Sequence, residues 1–143
     1  MLDPTKPGGV AKMSQVRLAA ADDVLRIVGM IEELREAVRG PIPVDRSHTA
    51  QTVARLIASP DGFVAVTDGG FIAGCLTQTI INPGNICQEL GWFSRDKTGL
   101  ALLQAMEAWA AERGALLVQL STGAEGPDLS RLGYRLAERA WVK

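Results

Sequence analysis

The stretch "ELGWFSRDKTGLALLQAMEAWAAERGALLVQLS", Glu89 to Ser121, constrains the fold more than any other part of the chain. It reads as a strand, a glycine-bearing corner, a helix and a second strand in immediate succession. Leu102, Leu103, Met106, Trp109 and Ala110 fall on one side of the helix, so that side must be buried. Gly114 stops the helix. "ALLVQLS" is a continuous apolar run bounded by turn residues, which predicts a central strand buried on both faces. A strand, a helix and another strand in that order predict a right-handed crossover between parallel strands. At the corner, a helix N-terminus follows Gly99, where free amides and the helix dipole suit an anion such as phosphate. Asp96 sets a negative charge at the same place, and a bare strand-to-helix connection is the competing reading.

The preceding residues supply the rest of an α/β sheet. "SQVRLAA" alternates Val16 and Leu18 against Gln15 and Arg17, a short strand. Asp22 or Asp23 then opens a helix whose buried stripe is Val24, Ile27, Val28, Ile31, Leu34 and Val38, ended by Gly40 and Pro41. Ser47 is placed to cap a second helix burying Val53, Leu56 and Ile57, which Pro60, Asp61 and Gly62 stop. "FVAVT" and "FIAGCLTQTII" flank Asp68-Gly69-Gly70, a hairpin signal because these residues tolerate positive φ. "NPGN" predicts the next turn, centred on Pro83-Gly84. That centring would set Cys87 opposite Ile80 and Trp92 opposite Cys75, so no cross-strand disulfide is expected. "EGPDLSRLG" is at most a helical turn, and "YRLAERAWV" is expected to close the chain as a strand. No repeat or low-complexity segment interrupts this order.

Composition narrows the function classes. With 143 residues, 47% apolar and 22% charged, the chain can bury one core as an ordinary globule. A formal net charge of −1 with no basic run argues against nucleic acid as a partner. No apolar stretch approaches the ~20 residues that cross a bilayer, so no membrane partner is expected. "MLDPTKPGGVAK" lacks the apolar segment of a secretory signal, and residues 1–13 read as a flexible tail ahead of a single domain at 14–143. Met13 is a candidate natural start. Two cysteines without metal-ligand spacing predict no disulfide framework, no metal and a reducing, cytoplasmic setting.

The element order and three local sequences together resemble the GNAT superfamily of acyl-CoA N-acyltransferases over about residues 14–143. "VRLAAADDVLRIVGMI" resembles its opening strand and acid-capped first helix, "ELGWFSRDKTGLALLQAMEAWAAERGA" its acyl-CoA segment, and "SRLGYRLAERAWVK" its closing segment. The resemblance implies a three-layer α/β/α sandwich around a mixed, mostly antiparallel sheet. It also implies acetyl transfer from acetyl-CoA to a primary amine of a small molecule or peptide, by direct attack in a ternary complex. Acetyl-pantetheine would lie against strand backbone at Trp92, Phe93, Ser94 and Arg95, in a gap opened by a bulge. The pyrophosphate would meet Arg95, Lys97, Thr98, Gly99, Leu100 and Ala101. The family's loop usually begins with Gln or Arg, where this chain has Asp96, and the corner is shorter than in typical members. A non-catalytic binding module built on the same fold is the alternative. A homodimer is compatible with either.

An amine nucleophile with pKa ~10.4 sits about three units above neutrality, or roughly 4–5 kcal/mol, so a base has work to do. Glu89 matches a position where family members often carry that base; a plain strand carboxylate is the other reading. The tyrosine acid of many members is absent, its place being taken by Leu129. Ser130 beside it is a poor acid, and Tyr134, the only tyrosine, falls at a position that is usually structural. A thiolate with pKa near 8.5 can leave without such an acid. His48, the only histidine, starts the second helix, in a region that borders the acceptor site in this fold, although a surface role is the commoner one. Glu32, Glu33 and Glu36 form a charged helix edge, either solvated or attractive to a cationic amine. Trp92, Trp109 and Trp141 are expected to fill core or cleft.

Overall fold

The computed structural model describes residues 15–143; the tail expected at 1–13 lies outside the described residues. Five strands form one sheet in the order β1-β2-β3-β4-β5. They are β1 (Arg17–Leu18), β2 (Gly62–Val66), β3 (Gly70–Thr79), β4 (Asn82–Ser94) and β5 (Val118–Gln119). All neighbours are antiparallel except β4 and β5, which run parallel across α3 (Gly99–Glu112), as the strand–helix–strand order predicts. The other helices are α1 (Val24–Val38) and α2 (Arg46–Ala58).

Alternation along β2 and β3 divides the core in two. Phe63, Ala65 and Ile72 face α3 and pack with Leu102, Leu103 and Met106. Val64, Val66, Phe71 and Ala73 face the other way, onto Ile27, Met30 and Val53 of α1 and α2. Both faces of the central strands are therefore dry, which is the expected three-layer α/β/α arrangement.

The first helix begins through Asp23. A short 3-10 turn, Ala21–Asp23, precedes α1, and the Asp23 carboxylate accepts from the Ala20 amide at 2.8 Å and from both Arg17 guanidinium nitrogens at 2.8 Å. The Arg17 hydrogen bonds outweigh burial and hold this carboxyl well below its ordinary range. Val38, expected on the buried stripe, is 45% exposed at the helix end. The cap of α2 is Asp45 rather than Ser47: Asp45 is extended and its side chain accepts from the His48 amide at 2.9 Å, while Ser47 lies inside the first turn.

Three further expectations are corrected. The β3–β4 turn is Ile80-Ile81, not Pro83-Gly84, and Pro83 and Gly84 sit in an irregular register step at the start of β4. The Asn82 side chain accepts from the Gly84 amide at 2.7 Å, and Gln78 donates to the Pro83 carbonyl at 2.9 Å, so local side-chain bonds fix the step. Cys87 consequently faces Leu76 and Trp92 faces Ile72. Both cysteines are free, as expected. The apolar run at 115–121 forms an edge strand, with Leu116 58% and Leu117 53% exposed, rather than a buried central one. Residues 134–143 form no strand. Leu136, Trp141 and Val142 are exposed, so their strand pattern has no apolar layer to cover.

Candidate functional site

The chemistry candidates gather where β4 changes character. Gly74 pairs with Glu89 and Ala73 with Gly91, so Leu90 is an extra residue without a partner, a β-bulge. Pairing with β5 stops at about the same level, its last pair being Gln88 with Gln119. Beyond it, β4 continues to Ser94 while β5 has ended, and the edge of β4 that faced β5 carries no strand. A Cβ on Gly91 would come within 3.0 Å of the Phe71 ring, so a side chain there would press on the ring that floors the bulge.

Glu89 stands at the mouth of this gap. Its cross-strand neighbour Gly74 points at Met106 and Cys87, which puts both residues on the α3 face of the sheet. The carboxylate is only 8% exposed and accepts from the Ser121 amide at 2.9 Å across the gap. Burial pushes its pKa up, and the Ser121 hydrogen bond offsets part of the rise. A buried carboxylate with a raised pKa beside an open strand edge is a candidate general base.

The corner after β4 is tied down by its own side chains. Asp96 accepts from the Ser94 hydroxyl at 2.9 Å, the Thr98 hydroxyl at 2.5 Å and the Gly69 amide at 2.9 Å, binding the β2–β3 hairpin to the corner. Burial alone would raise its pKa; the bonds from Thr98, Ser94 and Gly69 outweigh it and keep the carboxyl below its usual range. Thr98 is buried and bonds to Thr67 at 2.7 Å, so its hydroxyl faces inward. Arg95 reaches Glu33 on α1 at 3.0 Å and lies over Phe93, 5.8 Å from the ring centroid. Lys97 is exposed and holds the left-handed conformation, φ 63°. The Trp92 indole donates to the Gly99 carbonyl at 2.9 Å, fixing the first turn of α3. The first intrahelical bond runs from the Leu102 amide to the Thr98 carbonyl, leaving the amides of Gly99, Leu100 and Ala101 at the open end. What the corner offers an anion is thus three amides, a helix dipole and Lys97, with the Asp96 charge close by.

On the opposite face, α1, α2 and the bulge enclose a cleft of about 200 Å³. Ile31, Val53, Leu56, Phe71, Ala73 and Leu90 make its apolar wall, Gly91 adds backbone, and His48, Thr49 and Thr52 are its polar side chains. His48 is brought to this cleft by the Asp45 cap. A second hollow of about 260 Å³ lies by β1, β2 and Trp109, away from the bulge.

Other candidates are structural. Tyr134 donates to Glu107 of α3 at 2.7 Å, and burial followed by that carboxylate drives its pKa above the ordinary phenol value. Leu129 precedes and Ser130 begins a short 3-10 turn, Ser130–Leu132. Burial pushes the Cys87 thiol up to about 11, leaving it inert as a nucleophile. Among the described residues no group of three or more His, Cys, Asp or Glu is arranged to hold a metal, and no helix is long and apolar enough to cross a membrane. Sequence reasoning missed Ser121 as the partner of Glu89, and Thr52, Phe71 and Ala73 as cleft residues. Gly91, an isolated glycine inside a strand pattern, was the available signal for the bulge.

No protein-family model and no curated protein matches the chain. Solved structures do. A "predicted acetyltransferase" from Clostridium acetobutylicum, solved with acetyl-CoA, aligns with a TM-score of 0.73 at 14% identity, covering 92% of this chain and 95% of its own. A GCN5-related N-acetyltransferase from Ralstonia eutropha aligns at 0.70 and 17% identity, covering 90% and 97%. An integron cassette protein from the mobile metagenome of Cole Harbour Salt Marsh aligns at 0.71 and 23% identity, covering 90% and 88%. At these identities the likeness shows the fold. The chain has the fold of GNAT acetyltransferases.

Proposed function

We propose that the protein transfers an acetyl group from acetyl-CoA to a primary amine by direct attack in a ternary complex. The observation that carries this reading is the edge of β4. It is bulged at Leu90, lacks a strand neighbour beyond Gln88 and runs straight into the open N-terminus of α3. A neighbour of the same fold is solved with acetyl-CoA, which supports the same ligand here. The backbone of Trp92 to Ser94 would hold the pantetheine and the thioester carbonyl, and the amides of Gly99, Leu100 and Ala101 with Lys97 would hold the pyrophosphate. Arg95 adds neither group, its amide donating to the Gly69 carbonyl at 2.9 Å and its guanidinium being paired with Glu33 at 3.0 Å.

The amine nitrogen attacks the thioester carbonyl carbon, whose electrons move onto oxygen. A β4 amide stabilises that oxyanion. The carbonyl re-forms, the carbon–sulfur bond breaks with its electrons on sulfur, and the thiolate takes a proton from solvent, to which Glu89 returns the one it collected from the amine. Glu89 accepts the proton of the attacking amine through water, and its raised pKa makes it the stronger base for it.

A second reading, a binding module without turnover, is favoured by one observation: the negative Asp96 at the corner where the family's loop begins with Gln or Arg. Melting temperature with excess acetyl-CoA, desulfo-CoA or ATP separates the two. Ligand at 100 times Kd adds about 2.7 kcal/mol. A shift with both CoA species but not ATP, with amine-dependent thiol release, is the expected result. No shift at millimolar acetyl-CoA overturns the enzyme.

A further inference from the structure

We infer that the acceptor is a compact monoamine with an apolar body, such as a short arylalkyl or branched alkyl amine, bound in the cleft between α1, α2 and the bulge. The inference rests on the transferase reading for its reaction, but on the cleft alone for its chemistry. The cleft abuts Leu90 and Gly91, the residues at which β4 opens, so an amine seated there meets an acetyl group presented along β4. Its walls are aliphatic and aromatic, and among the described residues its polar side chains are an imidazole and two hydroxyls. These can hydrogen-bond one amine. They cannot balance a second or third ammonium, which in an apolar site needs its own carboxylate.

Nearby carboxylates are engaged elsewhere, Asp45 as the α2 cap that accepts from the His48 amide at 2.9 Å. Glu32 is paired with Arg46, Glu33 with Arg95 at 3.0 Å, and Glu36 with Arg35 at 3.3 Å. The acidic edge of α1 that the sequence offers to a cationic substrate is thus met by arginines. Size points the same way. About 200 Å³ falls below the ~300–1,000 Å³ of sites for drug-sized ligands, which suits one ring or one branched chain.

The test is acetyl-CoA-dependent thiol release with 2-phenylethylamine and isoamylamine against spermidine and an aminoglycoside. It is paired with saturation-transfer NMR of 2-phenylethylamine on the protein without acetyl-CoA. Monoamines should exceed the polycations at least tenfold in kcat/KM. Thr52→Phe, which fills the cleft, should lower the monoamine value tenfold or more while keeping the thermal shift with acetyl-CoA. Thr49→Phe, at a partly exposed cleft position away from β4, carries little risk to folding and should do the same. Equal or better turnover of spermidine overturns the inference and leaves the transferase standing. If acetyl-CoA neither binds nor turns over, the transferase reading fails and the NMR decides alone. Saturation transfer lost in both variants upholds the cleft as a monoamine site, and no transfer to wild type overturns it.

Discussion

Glu89 combines a role in the proposed chemistry with an energetic cost. Burial raises its folded-state pKa, so the folded chain holds the proton more tightly than the unfolded one. The stability tied to this group is present below the unfolded value, about 4.3, and lost as pH rises through the folded value. Glu89→Gln should therefore match wild type near pH 3.5 and melt higher at pH 8, while acetyl transfer falls roughly 100-fold or more. Calorimetry at the two pH values checks the sign; a variant melting lower at pH 8 would mean that the Ser121 bond outweighs burial. Asp96 has the opposite sign. Its folded pKa is depressed, so its contribution is present above about 3.9 and fades as pH falls below that. Asp96→Asn should cost about 1 kcal/mol at pH 7, because acceptors for Ser94, Thr98 and Gly69 weaken, and progressively less as pH falls through the depressed folded value. The same change removes a negative charge from the corner, so acetyl-CoA should bind severalfold tighter by titration calorimetry.

At the scale of elements, the bulge is what turns a sheet into a site. Removing one residue from β4 would let Gly91 pair directly in step with Glu89 and restore a regular β3–β4 ladder. Deleting Leu90, which is half exposed, should leave a folded protein by circular dichroism but abolish the thermal shift with acetyl-CoA. A retained shift would show that the gap between β4 and β5 suffices without the bulge. The elements that sequence could specify were those with local signals: α1 and α2 by stripe and breaker, α3 by its Gly114 stop, and β2–β3 by the place of Asp68-Gly69-Gly70, although none of the three takes the positive φ expected there. Those that it mis-set depended on distant partners. Whether 115–121 is central or edge depends on what pairs outside it, and Ile80-Ile81 became the turn because Gln78 and Asn82 fix the residues beyond it. Glu89 and the Gly99 corner were legible as positions in a pattern. The inward turn of Thr98 and the Arg95–Glu33 pair were not, because each needs a side chain from another element.

The whole molecule is two cores separated by one sheet, and the proposed reaction spans that division. Acetyl-CoA would be held by β4 and the end of α3, with Glu89 on the α3 face, and the amine by α1 and α2, the two meeting at the bulge. For that division to hold, each core must be stable on its own side and the sheet must behave as a partition rather than a hinge. Ile27 belongs to the α1–α2 core and Ile72 to the α3 core, and both are fully buried. Each Ile→Val change removes one methylene and should cost about 0.5–1.5 kcal/mol. If the cores are independent, urea unfolding of the double variant should equal the sum of the single effects to within ~0.5 kcal/mol. A coupling clearly above that would mean that β3, which carries Ile72 on one face and Phe71 on the other, transmits packing changes through the sheet. Substitutions that enlarge the amine cleft would then also alter the grip on acetyl-CoA, and acceptor preference could not be changed without changing donor affinity.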